Sequence, residues 1–396
     1  MDNFDFYRPT QYYFGRKVEE NTGSYVKEAG KSRVLLVYGG GSCVRSGLID
    51  RVEKSLKDSG IFYVSIGGVK PNPRADLVYK AIELGRQNDV DFVLAVGGGS
   101  VIDTAKAAAI GIVNDGDFFD DFYVGGKRVT KALKTGVVLT IPAAGSEGSN
   151  SAVIQKEING KVIKQGLSTE FNVPLFAVMD PELTVTLPNY QTACGAVDMM
   201  AHVMERYFTN TKDVSITDRL CEAVLLSIIE TVPRVLADPT NYEARANLMW
   251  AGTLAHNNIC GVGREQDWAT HHLEHQLSAL YDVAHGAGLA VMFPAWMEYT
   301  FTHNVMRFAQ FANRVFGVSM DFEDPSRTAK QGISALRSFF KSIGMPLSFA
   351  DIGAKAEDIP KMLNLLGIDE HTEGHFMVLN RADCEQIYKI AATYQC

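Results

Sequence analysis

The chain of 396 residues lacks the sequence features of several classes of protein. Its first residues, MDNFDFYRPTQYYFGRK, have neither the basic start nor the apolar middle of a signal peptide. No uninterrupted apolar run approaches the roughly 18 residues of a membrane-spanning helix. We therefore expect a soluble, cytoplasmic protein without a membrane segment.

Cysteine is scarce and scattered. The chain has six cysteines, without the close pairing of a zinc ribbon or a disulfide framework. We interpret them as free thiols, at Cys43, Cys194, Cys221, Cys260, Cys384 and Cys396.

An excess of basic charge is also lacking. The 38 basic residues are outnumbered by 46 acidic ones, the formal net charge is −8, and no lysine-arginine run is present. Proteins that bind nucleic acids usually carry a basic patch or stripe, so we expect no nucleic-acid partner. The composition, 46% hydrophobic and 21% charged, is typical of a globular protein with a large core, and this length favours two domains.

Residues 32–180 alternate short β-branched runs with helical patterns. SRVLLVYGGGS, DFVLAVGGGS and TGVVLTIPAAGS predict buried strands, while LIDRVEKSLKDSG and VIDTAKAAAIGIV predict helices between them. Strands separated in this way favour a parallel sheet covered on both faces. Asn159-Gly160 predicts a β-hairpin, and PLFAVMDP one more buried strand. The prediction is an α/β N-terminal domain, residues 1–183, with a Rossmann-like parallel sheet.

Later in the chain the pattern changes to long amphipathic segments without a strand signal, such as ITDRLCEAVLLSIIETVPRVL and SRTAKQGISALRSFFKSIG. DPELTVTLPNYQTACG is the expected join, because its prolines, Asp180 and Asn189 interrupt both periods. We predict an all-α C-terminal domain, residues 184–396.

The sequence GGGS occurs twice, at Gly39–Ser42 and at Gly97–Ser100, each time between a predicted strand and a helix. Such a turn lets backbone N–H groups and a helix N-terminus face an anion. Neither turn matches the usual dinucleotide fingerprint or the P-loop, and one such turn is equally typical of a purely structural role. Two turns at the carboxyl ends of strands in one sheet favour a dinucleotide.

The two turns divide the expected dinucleotide contacts. Gly98, Gly99 and Ser100 are the predicted pyrophosphate site. In the first turn Gly39, Ser42 and the nearby Arg45 could accommodate and hydrogen-bond a 2′-phosphate, which favours NADP over NAD.

Histidine is absent from residues 1–201, and four of the nine histidines fall within residues 271–285. Asp198 and His202 are spaced i and i+4 on one helical face, and His271 and His275 repeat that spacing. Each pair alone is more typical of a surface pair than of a metal site. His285, in the small-residue segment VAHGAG, adds a further imidazole. Three imidazoles and one carboxylate predict a site for Fe²⁺ or Zn²⁺.

These motifs resemble the iron-containing, group III alcohol dehydrogenase family, and within it the NAD(P)H-dependent butanol dehydrogenase branch. The similarity runs over nearly the full length, through PTQYYFGRK, YGGGS, GVKPNPR, VGGGSVIDTAK, LTIPAAGSEG, FAVMDPELTVTLP, GAVDMMAHVMERY and DWATHHLEHQLSALYDVAHGAGLAVMFPAW. It implies a dehydroquinate synthase-like architecture, a homodimer, NADP with NAD as the alternative, and one divalent metal, Fe²⁺ with Zn²⁺ as the alternative.

The resemblance also implies the site residues. The metal ligands of the family fall on Asp198, His202, His271 and His285, and the histidine beside the nicotinamide falls on His275. The cofactor contacts fall on Gly39, Ser42, Asn72, Gly98, Gly99, Ser100, Thr140, Ser149 and Lys164. The chain departs from the family at Ala144, where members commonly have threonine, and at Ser149, where many have asparagine.

The predicted function is that of a metal-dependent NAD(P)H alcohol dehydrogenase or aldehyde reductase for short aliphatic aldehydes and primary alcohols. The metal would polarise the carbonyl as a Lewis acid, and His275 or an ordered water would relay the proton. Two alternatives stay open: a zinc-dependent polyol dehydrogenase of the glycerol type from the same superfamily, and a non-catalytic nucleotide-binding protein.

Overall fold

The computed structural model describes residues 1–394 of the chain; Cys396, which we predicted to be a free thiol, lies outside the described residues. The chain forms two compact units. The α/β unit comprises Tyr7–Leu187 and Thr240–Asn257, and the helical unit comprises Met1–Phe6, Pro188–Pro239 and the described residues from Asn258 onward.

Short aromatic and β-branched runs in the α/β unit form eight strands. They are β1 (Gln11–Phe14), β2 (Arg33–Gly39), β3 (Phe62–Val69), β4 (Phe92–Gly97), β5 (Lys134–Leu139), β6 (Ser151–Ile158), β7 (Lys161–Ser168) and β8 (Phe176–Met179).

The helices follow the amphipathic segments of the chain. They are α1 (Thr22–Glu28), α2 (Gly41–Arg45), α3 (Leu48–Asp58), α4 (Ala75–Gln87), α5 (Gly99–Val113), α6 (Asn189–Tyr207), α7 (Ser215–Ala237), α8 (Tyr242–His256), α9 (Ala269–Tyr281), α10 (His285–Thr300), α11 (Val305–Phe316), α12 (Pro325–Ser342), α13 (Ile359–Leu366) and α14 (Arg381–Thr393).

Six of the strands form one sheet in the order β1-β8-β5-β4-β2-β3, and all of its neighbouring pairs are parallel. Every residue of the central strand β4 is buried. Along β2, Leu35 and Val37 join one hydrophobic cluster and Val34 and Leu36 join another, so both faces of the sheet are covered. The predicted parallel α/β sheet is confirmed.

A second, two-stranded sheet is the predicted hairpin. Strands β6 and β7 pair antiparallel, with Ile158 opposite Lys161. Asn159 and Gly160 between them have φ values of 52° and 76°, the left-handed conformation that a two-residue hairpin turn requires.

Within the described residues of the helical unit no strand is present, as predicted for this part of the chain. Its interior is aromatic: Phe208 packs against Trp296 with ring centroids 5.5 Å apart and stacks on Phe308 at 4.5 Å. The predicted join is shorter than expected. The backbone of Pro188 is extended and α6 begins at Asn189, so NYQTACG is helical and the prediction of an irregular segment there was wrong.

The described cysteines are buried free thiols, as predicted, at Cys43, Cys194, Cys221, Cys260 and Cys384. In residues 1–394 no helix combines the length and the apolar character that crossing a bilayer requires.

Candidate metal and dinucleotide sites

Three helices of the helical unit carry the predicted metal ligands. Asp198 and His202 lie one turn apart on α6, His271 lies in the first turn of α9, and His285 is the first residue of α10. The approach of α10 to α6 depends on Gly286, because a Cβ there would lie 2.0 Å from the carbonyl oxygen of Cys194. The glycine in the AHGAG segment therefore lets His285 lie next to the α6 residues.

The four side chains converge on one carboxylate oxygen. Oδ1 of Asp198 lies 3.6 Å from Nδ1 of His202, 4.0 Å from Nε2 of His271 and 3.7 Å from Nε2 of His285. The rings of His202 and His271 stack with centroids 4.8 Å apart. Asp198, His202 and His271 are buried, and about a quarter of the His285 side chain is exposed. The cluster can therefore be reached from one side.

These separations fit a shared cation. Two ligand atoms about 2.1 Å from a tetrahedrally coordinated ion lie roughly 3.4 Å apart, close to the 3.6–4.0 Å observed. They are too long for ordinary hydrogen bonds between the ligands. Nε2 of His271 is buried without a hydrogen-bond partner, which is costly for a polar atom unless something else fills the position. One carboxylate and three imidazoles form a donor set suited to Fe²⁺ or Zn²⁺.

Glu205, one turn after His202 on α6, orients His271. Nδ1 of His271 donates to Oε1 of Glu205 at 2.7 Å, and the backbone N–H groups of His271 and Trp268 donate to the same carboxylate at 3.0 Å and 2.9 Å. With Nδ1 carrying the proton, Nε2 presents its lone pair to the cluster.

Glu274 orients His285 in the same way. Nδ1 of His285 donates to Oε2 of Glu274, and the Glu274 side chain is fully buried. Gly288 makes room for this carboxylate, because a Cβ at that position would lie 2.4 Å from Oε1 of Glu274. Neither carboxylate was predicted from the sequence, where the only signal is an acid within the motifs MERY and THHLEH.

The two remaining histidines of α9 lie beside the cluster. The ring of His275 is 5.5 Å from that of His285, and ligand atoms of Glu274, His275 and His285 lie within 4.8 Å of one another. His272 instead contacts Oε2 of Glu373 through Nδ1 at 2.6 Å. Partial desolvation lowers the pKa of His272, whose side chain is about half exposed, but the hydrogen bond and charge of Glu373 outweigh this effect and the pKa is raised.

The buried carboxyl of Asp267 has a strongly raised pKa. Asp267 accepts hydrogen bonds from the backbone N–H groups of His375 and Phe376, at 2.6 Å and 2.8 Å. Burial and the negative charge of Glu205 raise its pKa to about 7, and these hydrogen bonds only partly offset the rise.

The predicted dinucleotide residues lie in the α/β unit. Strands β2 and β4 are parallel neighbours, so Gly39–Ser42 and Gly97–Ser100 follow them at the same edge of the sheet. Thr140 follows the next strand, β5, and its N–H donates to the carbonyl oxygen of Gly97 at 3.1 Å. The structure therefore brings these three predicted segments to one edge, where parallel sheets bind ligands.

This edge fits a phosphate group. The helix α5 has 15 residues, begins at Gly99 and has Gly98 as its N-cap, and no side chain caps its first amides. A Cβ on Gly40 would meet no atom within 4 Å, so this part of the first turn borders open space.

The remaining predicted cofactor contacts are Asn72, Lys164 and Ser149. Asn72 and Lys164 are buried, and Nζ of Lys164 donates to Oδ1 of Asn72 at 3.2 Å. Ser149 is also buried, but its hydroxyl oxygen lies 3.4 Å from Nζ of Lys106, inside the α/β unit. The Ser149 side chain is therefore part of an interior network.

The chain is similar to known proteins over nearly its whole length. Residues 9–181 match the family described as iron-containing alcohol dehydrogenase, and residues 192–392 match the C-terminal part of the Fe-containing alcohol dehydrogenase family. The chain is 43% identical over 97% of its length to "Probable NADH-dependent butanol dehydrogenase 2" of Bacillus subtilis, of which 98% is covered. It is 38% identical over 99% of its length to the whole of the NADPH-dependent aldehyde reductase YqhD of Escherichia coli.

The fold is also close to that of solved structures. The crystal structure of NADH-dependent butanol dehydrogenase A from Thermotoga maritima superposes with a TM-score of 0.95 at 40% identity and covers 99% of each chain. The two family matches together span nearly all of the described chain. The protein belongs to the iron-containing alcohol dehydrogenase family of oxidoreductases.

Proposed function

We propose that this protein is a metal-dependent NAD(P)H aldehyde reductase and alcohol dehydrogenase that interconverts short aliphatic aldehydes and primary alcohols. The observation that carries the proposal is the convergence of three imidazole nitrogens on Oδ1 of Asp198, at 3.6–4.0 Å. The names of the relatives, butanol dehydrogenases and an aldehyde reductase, support this substrate class. We also propose that the protein is a homodimer in the cytoplasm.

The helical unit holds the metal and carries out the chemistry in this proposal. Asp198, His202, His271 and His285 bind one divalent ion, Fe²⁺ with Zn²⁺ as the alternative. Such an ion, when bound, supplies Lewis-acid polarisation of the substrate oxygen. His275 moves the proton at its imidazole, because this group exchanges protons near neutral pH and its ring lies 5.5 Å from that of His285.

The α/β unit binds the dinucleotide. Gly98, Gly99 and Ser100 hold the pyrophosphate at the N-terminus of α5, and Gly39 and Ser42 contact the adenosine ribose. Asn72 is assigned to the phosphates as well, and Thr140, Ser149 and Lys164 are assigned to the nicotinamide half. The nicotinamide supplies the hydride when bound, and the protein supplies its alignment.

We propose NADP as the preferred cofactor and NAD as the alternative. Arg45 ends α2, directly after the first glycine turn, and its side chain is exposed. A Cβ on Gly41 would lie 2.0 Å from Nη1 of Arg45, so the guanidinium folds over the turn. The guanidinium of Arg45 could donate a charge-assisted hydrogen bond to a 2′-phosphate near Gly39 and Ser42, whereas a 2′-hydroxyl would bind it less strongly. The relatives carry both names, NADH-dependent and NADPH-dependent.

The proposal is tested with the purified protein loaded with Fe²⁺. Butanal should be reduced with NADPH, and glycerol should be a poor substrate for the reverse reaction. Arg45→Ala should lower kcat/KM for NADPH by about 10–150-fold and leave that for NADH unchanged, because a charge-assisted hydrogen bond contributes roughly 1.5–3 kcal/mol. Faster turnover of glycerol than of butanol favours the polyol dehydrogenase. An absence of dinucleotide oxidation with any aldehyde favours the non-catalytic protein.

A further inference from the structure

The helix α5 carries a buried lysine that the proposed reaction does not use. Lys106 is 1% exposed, and its Nζ donates to the backbone carbonyl oxygens of Ser146, Ser149 and Ser151 at 2.7, 3.0 and 2.9 Å. An ammonium group has three N–H donors, and here each of them finds a carbonyl. Lys106 therefore ties three points of one backbone segment, residues 144–151, to α5.

Asp103, one turn earlier on α5, reinforces this attachment. Its Oδ1 accepts from the hydroxyl of Ser146 at 2.7 Å, and its Oδ2 accepts from the backbone N–H of Val153 at 2.8 Å. Burial lowers the pKa of Lys106 to about 8, although the carboxylates of Asp103 and Glu147 oppose this shift. The three carbonyl oxygens around Nζ match the three N–H donors of the charged ammonium form.

The helix α8 holds the same segment from another side. Thr253 on α8 donates to Oε1 of Glu147 at 2.6 Å, and both side chains are buried. Gly145 has φ +60°, and a Cβ there would lie 2.6 Å from Cβ of His256 and 2.8 Å from the carbonyl oxygen of Gly252. The 144–151 segment is thus packed directly on α8, which comes much later in the chain.

The 144–151 segment also touches the second glycine turn. A Cβ on Gly99 would lie 2.9 Å from Cβ of Ala144, and a Cβ on Gly98 would lie 3.0 Å from Cβ of Ile141, just before the segment. The backbone of the turn is therefore so near Ala144 that the segment has little room to shift without changing the surface beside Gly98–Ser100.

We propose that Lys106 and Thr253 are positioning residues of the dinucleotide site, which fix the 144–151 segment against the second glycine turn from the sides of α5 and α8. This inference rests on the proposed dinucleotide binding. It gives α8 a role in the α/β unit. Neither residue is assigned a contact with the dinucleotide.

The matched pair Thr253→Val and Thr253→Ser tests the inference. Valine has nearly the shape of threonine but cannot donate to Glu147, whereas serine keeps the hydroxyl. The readouts are the Kd of NADPH and of NADH in fluorescence titrations without substrate, the metal content, the Tm, and hydrogen exchange of amides 144–151 in the cofactor-free protein.

We expect Thr253→Val to raise the Kd of the preferred dinucleotide about tenfold and to speed exchange in the 144–151 segment, with the metal content unchanged. Thr253→Ser should restore both readouts. Lys106→Met should weaken binding further. This variant leaves three carbonyl oxygens without the ammonium donor, so if it does not fold, the Thr253 pair alone decides the test.

The outcomes separate this inference from the proposed function. A wild-type protein that binds neither dinucleotide overturns both. Wild-type binding together with an unchanged Kd in Thr253→Val, whatever its Tm, overturns this inference alone and leaves Thr253 a stabilising residue only. A raised Kd that Thr253→Ser does not restore also overturns it, because the hydroxyl would then not be the cause.

Discussion

The carboxylate of Glu205 lies 2.7 Å from Nδ1 of His271 and also accepts the backbone N–H groups of His271 and Trp268. Three donors on one buried carboxylate fix the first turn of α9 to α6. The same bonds determine which nitrogen of His271 carries the proton. The orientation of one metal ligand thus depends on a residue that is not itself a ligand.

Glu205→Gln should lower the affinity for Fe²⁺ or Zn²⁺ by about 10–100-fold, because an amide has one accepting oxygen in place of two and lacks the charge that orients the imidazole. Competition with a chelator measures the affinity. The control is Glu222→Gln, a buried glutamate of the helical unit whose partners are Tyr207, Arg219 and Arg314. That variant should lose stability but keep its metal affinity. Equal affinities in the wild type and Glu205→Gln would refute the orienting role.

Gly286→Ala tests the close approach of α6 and α10. The new Cβ would lie 2.0 Å from the carbonyl oxygen of Cys194, so the helices must separate and His285 must move away from Asp198. We expect a loss of about 1–3 kcal/mol in the free energy of unfolding and a loss of bound metal.

Gly166→Ala is the control for Gly286→Ala, because a Cβ there makes only an ordinary contact, 3.7 Å from Val153. Denaturant unfolding and elemental analysis give the two readouts. Full metal content in Gly286→Ala would show that the site tolerates a wider helix crossing than we infer.

Asp267 should make the stability of the metal-free protein depend on pH. Its pKa is raised from 3.8 to about 7, so between these values the folded state binds more protons than the unfolded state. The free energy of unfolding therefore falls as the pH rises through this window. Asp267→Asn keeps an acceptor for the two backbone N–H groups but does not titrate. Its free energy of unfolding should therefore fall less than that of the wild type between about pH 4.5 and 7.5. Urea unfolding at these two pH values measures the fall, and an equal fall in both proteins would contradict the raised pKa of Asp267.

The sequence predicted the parallel sheet because its inner strands are nearly continuous apolar runs, such as FVLAVG in β4. It did not predict β1, because QYYF has four residues and none of them is buried. This strand pairs only with β8, at the edge of the sheet. An edge strand held by one neighbour leaves little periodicity in the sequence.

The packing partners of the long helices could not be predicted from the sequence either. The amphipathic pattern of α8 shows that it is a helix but not that it belongs to the α/β unit, since a pattern reports burial and not the identity of the neighbour. Glu205 and Glu274 look like any acid on a helix until α9 is placed against α6 and α10. The ligands were easier to find because histidine and aspartate at i and i+4 are chemically distinctive.

The most direct test of the central claim is the metal content of the purified protein and of four single variants, Asp198→Ala, His202→Ala, His271→Ala and His285→Ala. The wild type and the control His272→Ala should retain about one ion per chain, and each of the four variants less than about a tenth of that, with NADPH binding still measurable in all of them. A His271→Ala protein that retains its full metal content, or that turns over butanal normally after metal depletion, would contradict a single ion held by these four side chains.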